Sequence, residues 1–344
     1  MSYKSSRICY LDALRIIACF FVLVNHTNSG IFLNCSPSAT WYCSLTYFFL
    51  SKTAVPLFLM ISGAVLLGRT DPPEKNVRRI KRIIYVIVLF SAFYILDGHF
   101  RLGNEITFSD TVQAFLFSAT NSYWYLYLYL AVCIFMFAFQ HLSVSLDKEK
   151  TLLLVIVILL TRSVIPMLPV FTDHYIQPMF YQGALTATTG LLFAGYYINE
   201  YVHADRKMTW TAAAVLIAST AFNVVCTRFV FYERDPENYL MLDDRFLLPS
   251  MLASISVFIL LKGLLKDERL GERTKKAISY TGTLTFGIYL LGDWLISLLS
   301  PVSAFLYAGM HKLIAVVIFE IIVFAAGAVI TAALKRVPGI KTLI

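Results

Sequence analysis

The 344-residue chain has no long polar stretch. None of its hydrophilic segments is large enough to fold as a separate water-soluble domain, so we read residues 1–344 as a single membrane domain. Cysteine is scarce, with 6 residues, and no Cys/His pair has the spacing of a zinc site, so no metal is expected. Cys9, Cys19, Cys133 and Cys226 fall in or beside apolar runs, where a thiol packs as a small hydrophobe. Cys35 and Cys43 share one short loop, where a disulfide is permitted if that loop faces an oxidising compartment. Internal repeats and low-complexity tracts are absent as well, and transporters often carry such a repeat. The opening residues lack a signal-peptide pattern, because the first apolar run continues as a spanning helix.

What the chain does have is apolar length. Hydrophobic residues make up 58% and mean hydropathy is +0.70. Runs such as "IIYVIVLFSAFYIL", "TLLLVIVILL" and "LIAVVIFEIIVFAAGAVITAAL" extend into windows of about 20 residues, enough to cross a hydrocarbon core of roughly 30 Å. The expectation is an all-α polytopic membrane protein of about ten helices, at roughly 10–30, 45–68, 80–97, 122–140, 151–168, 178–198, 209–226, 246–265, 277–299 and 312–334.

The formal charge of +8 suggests nucleic acid until its placement is considered. Of the 29 Lys and Arg, 21 fall on the segments that share a side with the N-terminus and 5 on the other side. Arg15, Lys52 and Arg162 lie within spans. That bias puts both termini in the cytoplasm and accounts for the excess charge as topology, with no nucleic-acid partner. Between the third and fourth spans, "SDTVQAFLFSA" predicts a short interfacial helix capped by Ser109, with Val112, Phe115, Leu116 and Ala119 on its apolar side. "TRFVFYERDPENYLMLDDRF" is the most acidic loop, either solvated or a rim for a ligand.

Ionisable residues inside a membrane are costly, about 2.5–3.5 kcal/mol on insertion scales, so they are read first as functional. Arg15 and His26 are eleven positions apart. On a helix this returns to within roughly 20° of one face and separates them by about 16 Å along the axis. Asp12 is three residues before Arg15, close enough to pair with it. Asn25 beside His26 asks for a polar cavity. The plainer alternatives are a snorkelling anchor for Arg15 and an interhelical hydrogen bond for His26. In "VRRIKRIIY", Arg79 and Arg82 share a face in the first turn of the third span. There they serve either orientation or the binding of a phosphorylated ligand by guanidinium forks.

These pieces carry a family resemblance. "LDALRIIACFFVLVNH", "AVPLFLMISGAVLL" with its Ser62-Gly63, "RRIKR", "YWYLYLYL" opening at Trp124, and "TFGIYLLGDWLI" with Tyr289 together resemble the acyltransferase family 3 integral-membrane O-acyltransferases. These are bacterial enzymes that acylate surface carbohydrate, and the match covers nearly the whole chain in the stand-alone form. The chain departs from the family at Gly292 and Ser122, where relatives often keep histidine; Asp293 follows the first.

The resemblance implies a multi-pass protein of the bacterial cytoplasmic membrane. It also implies acetyl-CoA as acyl-donor substrate, a carbohydrate acceptor beyond the outer face, and no permanently bound cofactor. On that reading Arg15, Arg79 and Arg82 hold the donor and His26 is the general base. Asp12, Asn25, Ser62, Trp124 and Tyr289 support the cavity. The imidazole's ordinary pKa of about 6.5 suits proton transfer at neutral pH. A transporter or flippase, or a membrane sensor without chemistry, is the rival class.

Overall fold

The structure, a computed structural model, describes residues 8–27, 29–172, 177 and 186–344. Among these there is no strand, and the expected all-α class holds. The chain opens with α1 (Cys9–Thr27), α2 (Ser29–Leu33), α3 (Ala39–Ser51) and α4 (Ala54–Leu66). Next come α5 (Pro73–Leu102), α6 (Phe108–Leu116) and α7 (Trp124–Ser145). Helix α8 (Lys148–Leu159) continues through a π turn and a short 3-10 turn into α9 (Leu168–Phe171). Then follow α10 (Ala187–Tyr201), α11 (Arg206–Cys226) and α12 (Leu248–Leu264). The chain closes with α13 (Glu272–Leu298), α14 (Ser300–Gly309), α15 (Lys312–Leu334) and α16 (Ile340–Leu343).

Local chemistry sets most boundaries. Ser38, Thr107, Asp147, Thr186 and Asp205 each accept a backbone N–H at the start of a helix. Pro73 opens α5, where its missing N–H costs nothing, and Gly103 closes it at φ 73°.

Among the described residues, seven helical stretches are long and apolar enough to cross a membrane, or eight if α13 and α14, bent by 63°, form one span. The expected ten is not reached by that measure. Helix α12 has 17 residues and α10 has 15, and much of the run expected at 178–198 lies outside the described residues. Three further expectations are corrected. The interfacial helix forms, but its cap is Thr107, whose hydroxyl takes the Asp110 N–H, so the helix starts earlier than Ser109. The span expected at 45–68 is present as one stretch, Ala39–Leu66, but it is not one continuous helix: it is interrupted at Lys52–Thr53, where the Ser51 and Thr53 hydroxyls bond back to carbonyls three residues earlier. Helix α5 begins at Pro73, so Arg79 and Arg82 fall in its second and third turns, not the first.

The chain divides into two compact units, Met1–Gly68 with Ser143–Thr283, and Arg69–Leu142 with Leu284–Ile344. In the first unit α10 packs on α4 and α8, and α1 packs on α3, α4 and α12. The α4–α10 contact is as close as backbone allows. A Cβ on Gly63 would overlap the Leu192 backbone, and one on Gly195 would overlap the Met60 backbone. Small residues permit this approach where apolar lipid supplies no drive for helices to associate.

Beside it lies an aromatic core of Phe32, Trp41, Phe48, Phe49 and Phe231. The acidic loop is not simply solvated. Tyr239, Leu242 and Leu247 are buried in that core, and Asp243 pairs with the buried Lys52. In the second unit α14 packs on α15, α6 on α5, and Gly287 of α13 faces Thr331 of α15. Outward-facing side chains such as Tyr85, Val88, Leu89, Ile321 and Val329 are apolar and exposed, a surface suited to lipid and not to water.

All six cysteines are free thiols, Cys35 and Cys43 included. The glycine contact gives a direct test. Gly63→Ala should lower the unfolding temperature of the purified protein by several degrees, because the added methyl meets backbone and not a movable side-chain end. Gly309→Ala, whose Cβ has no neighbour within 4 Å, should leave it unchanged.

Candidate functional site

The residues singled out from the sequence fall into two sets, one in each unit. In the first unit α1 carries Asp12, Arg15, Asn25 and His26. The Arg15 guanidinium donates to Asp12 Oδ1 at 2.5 Å, and the Asp12 side chain is 1% exposed against 31% for Arg15. The pairing expected from the i, i+3 spacing is therefore present. It turns the guanidinium into one half of an ion pair with a fixed end. Gly282 of α13 faces the Asp12 side chain closely, since a Cβ there would come within 2.8 Å of the Asp12 Cβ. Asp12 Oδ2 is buried without a hydrogen-bond partner.

Eleven residues on, about 16 Å along the axis, His26 is half-buried in the last turn of α1. Its neighbour Asn25 has a buried Oδ1 with no hydrogen-bond partner, an open acceptor one residue from the imidazole. Ser62 is half-buried on α4 and spends its hydroxyl on the Phe58 carbonyl at 2.8 Å.

In the second unit Arg79 is held from two sides. Its guanidinium donates to Asp71 Oδ2 at 2.5 Å and to Asn76 Oδ1 at 2.6 Å. Asp71 also takes Lys75 at 2.6 Å, the Gln140 amide at 3.0 Å and, at 3.7 Å, Arg69. The Gln140 carbonyl oxygen returns a bond from the Asp71 backbone N–H. Burial of the Asp71 carboxyl pushes its pKa up. The bonds from Lys75, Gln140 and Arg79 outweigh that and hold it well below the usual carboxylate range. Arg82 is exposed, donates to the Leu343 carbonyl at 3.0 Å and lies over the Phe286 ring at 5.6 Å.

About 22 Å further along α5, at Tyr94, a second polar layer joins α5 to Tyr289 and Asp293 of α13. Ser122 donates its hydroxyl to Asp293 at 2.7 Å and its backbone N–H at 3.1 Å. Tyr289 donates to the Ser122 carbonyl at 2.7 Å. Thus Ser122, one of the two places where the family pattern is broken, is in direct contact with Asp293, the residue after the other, Gly292. The layer continues through Tyr94, Trp294, Asp97 and Arg101. Trp124, which opens α7, is half-buried, with its ring edge-on to Tyr125 at 6.2 Å. A cleft of about 570 Å³ beside this layer is lined in part by Tyr94, Asn104, Asp110 and Gln113.

Sequence reasoning missed Asp71, Asn76 and Gln140 around Arg79, and the whole Tyr94–Asp97–Trp294 layer. Asp71 had a local signal, an aspartate four residues before Lys75 and beside a basic run. Gln140 had none, because its role depends on α7 returning to the start of α5. Among the described residues no group of three His, Cys, Asp or Glu side chains could hold a metal ion.

The polytopic helical frame with ionisable groups inside its apolar stretches is that of a multi-pass membrane protein. A family model described as an acyltransferase domain matches residues 8–335, and the chain belongs to that family, acyltransferase family 3. No curated protein and no solved structure matches the chain at a significant level. The protein is a membrane acyltransferase.

The Asp71 cluster makes stability depend on pH in a set direction. A carboxyl with a depressed folded pKa stabilises the fold above its unfolded value, about 3.9, and loses that contribution as pH falls through the folded value. Asp71→Asn should cost about 1–2 kcal/mol at pH 7, since Lys75 and Arg69 are half exposed and partly screened. The gap between variant and wild-type unfolding temperatures should narrow below about pH 4, as a pH series of thermal melts would show.

Proposed function

We propose that this membrane acyltransferase moves an acyl group, acetyl by the habit of its family, from cytoplasmic acyl-CoA to a hydroxyl of a cell-surface or lipid-linked carbohydrate. The membrane is then the cytoplasmic membrane of a bacterium, with both termini inside, a reading supported by the 21-to-5 distribution of Lys and Arg. The observation that carries the reading is the stripe on α1. A paired guanidinium stands near one end and a half-buried imidazole near the other, with an open amide acceptor beside it.

On this reading Arg79 and Arg82 receive the donor's phosphates, and Arg15 is a further donor-binding residue. His26 removes the proton of the acceptor hydroxyl as its oxygen attacks the thioester carbonyl. The new C–O bond forms, the C–S bond breaks, and CoA leaves as the thiol with the proton returned by His26. A covalent acyl-histidine is the stepwise variant of the same exchange. Tyr289, Trp124, Ser62, Asn25 and Asp12 act in support. Asp12 fixes the charge of Arg15, and the Asn25 amide lies one residue from the reacting end.

Supplying labelled acetyl-CoA to the purified protein with a glycan acceptor tests this. His26→Ala should cut turnover by about 10²–10⁴ with binding of acetyl-CoA retained, and full transfer by that variant removes His26 from the mechanism. Charge reversal at Arg82 should raise the donor KM more than it lowers kcat. An unchanged KM removes Arg82 from the donor site. Tight binding of an untransformed solute, with no CoA turnover by wild type, means the protein is a transporter.

A further inference from the structure

A cavity of about 310 Å³ opens in the first unit, where the start of α1, the α10–α11 connection and the end of α12 converge. Nothing in the acyl-transfer reading uses it. Its basic side chains are Lys262, Lys266 and His203, brought from two connections 60 residues apart in sequence. Lys262 is half-buried and donates to the Ile198 and Asn199 carbonyls at 2.7 and 2.8 Å, closing the C-terminal end of α10. An ammonium has three donors, so this one is fixed in place with one donor beyond those two bonds. The floor is set by Tyr10, 7% exposed, whose hydroxyl donates to the Asn199 side-chain oxygen and whose ring meets Phe258 edge-on. Ile8 and Leu265 make the walls apolar.

The acidic side must be counted as well. Asp205 lines the same cavity, but its carboxylate accepts the Met208 N–H at 2.7 Å and is committed to capping α11. Glu200 is exposed on the last turn of α10 and acts on Lys262 from outside the lining. The lining retains two ammonium groups and an imidazole against one committed carboxylate. A concave site with apolar walls and fixed cationic donors suits an anion carried on a less polar body.

We propose that this cavity is a phosphate-binding site, taking a phosphate ester through Lys262, Lys266 and His203 while Ile8 and Leu265 contact the group that bears it. The same chemistry is offered by the headgroup of an anionic phospholipid and by a soluble nucleotide. The proposal rests on the cavity alone, and substitution of its own lining residues separates it from the donor phosphates assigned to Arg79 and Arg82.

Full-length protein in phosphatidylcholine nanodiscs provides the test, in two arms. One titrates adenosine 3′,5′-bisphosphate by calorimetry. The other follows retention of phosphatidylglycerol against phosphatidylcholine by native mass spectrometry. Wild type should bind one of the two probes, and which one identifies the source. Lys266→Glu, which touches no recorded helix cap, should weaken that binding by about tenfold or more with an unchanged melting curve. Lys262→Gln should weaken it too, with some loss of thermal stability from the opened end of α10. Binding of neither probe overturns the proposal, as does binding by Lys266→Glu equal to wild type in both arms.

Discussion

Charge is costly where the surroundings are apolar, and this chain meets that constraint at several cations, within spans and at their edges, with carboxylate partners. Within spans, Arg15 has Asp12 and Lys52 has Asp243, and at the far end of α5 Arg101 has Asp97. Arg79, near the start of α5, has Asp71 in the same way. Two of these pairs are made within one helix at i, i+3 or i, i+4, so they cost no loop closure. The other two tie a loop to a helix. Pairing of this kind does little for net stability compared with apolar packing, but it fixes where each guanidinium and ammonium can be. Function in a bilayer needs that fixed position, because an unpaired cation there would snorkel out or lose its proton.

Fixed charge also separates the two kinds of polar feature in the protein. The Asp71 cluster and the Ser122–Asp293–Tyr289 layer are networks with several partners each, rigid in the way dense hydrogen bonding makes a site rigid. The α1 stripe is different. Its Arg15 is partly exposed and its Asn25 oxygen has no partner, so it retains capacity to meet a ligand. An acyltransferase needs both kinds, rigid groups to place the reactants and incompletely satisfied groups to receive them.

Several features were legible because they are local or periodic. The apolar runs gave the spans, and the eleven-residue interval put Arg15 and His26 on one stripe. The Asp12–Arg15 pair followed from i, i+3 spacing. The short helix after α5 was visible in its apolar pattern, although its cap was off by two residues because Thr107 and Ser109 are equally good caps in isolation. The interruption at Lys52–Thr53 was not legible, since nothing in a continuous apolar run shows where hydroxyls will turn back on the backbone. The Gln140 partner of Asp71 was hidden for another reason. It lies 69 positions from Asp71 and is an ordinary glutamine in sequence. Likewise Ser122 was noted as a departure and Asp293 as the residue after the other one, but their contact spans 171 positions.

The sequence by itself determined the class of protein, because the length and apolarity of its runs leave few folds that satisfy a backbone in lipid, and because its motifs match one family along 8–335. It also determined which cations are candidates for chemistry, since any charge within such a run stands out against the cost of putting it there. Tertiary structure decided what each of those charges faces. It brought the Gln140 amide of α7 onto Asp71. It folded the acidic loop into the aromatic core, and it gathered Lys262, Lys266 and His203 around one cavity. The physical reason is that these contacts join residues far apart in the chain. Such contacts form only once helices have packed, and helix packing turns on details such as the bare Cα of Gly63 against Leu192 that no local pattern encodes.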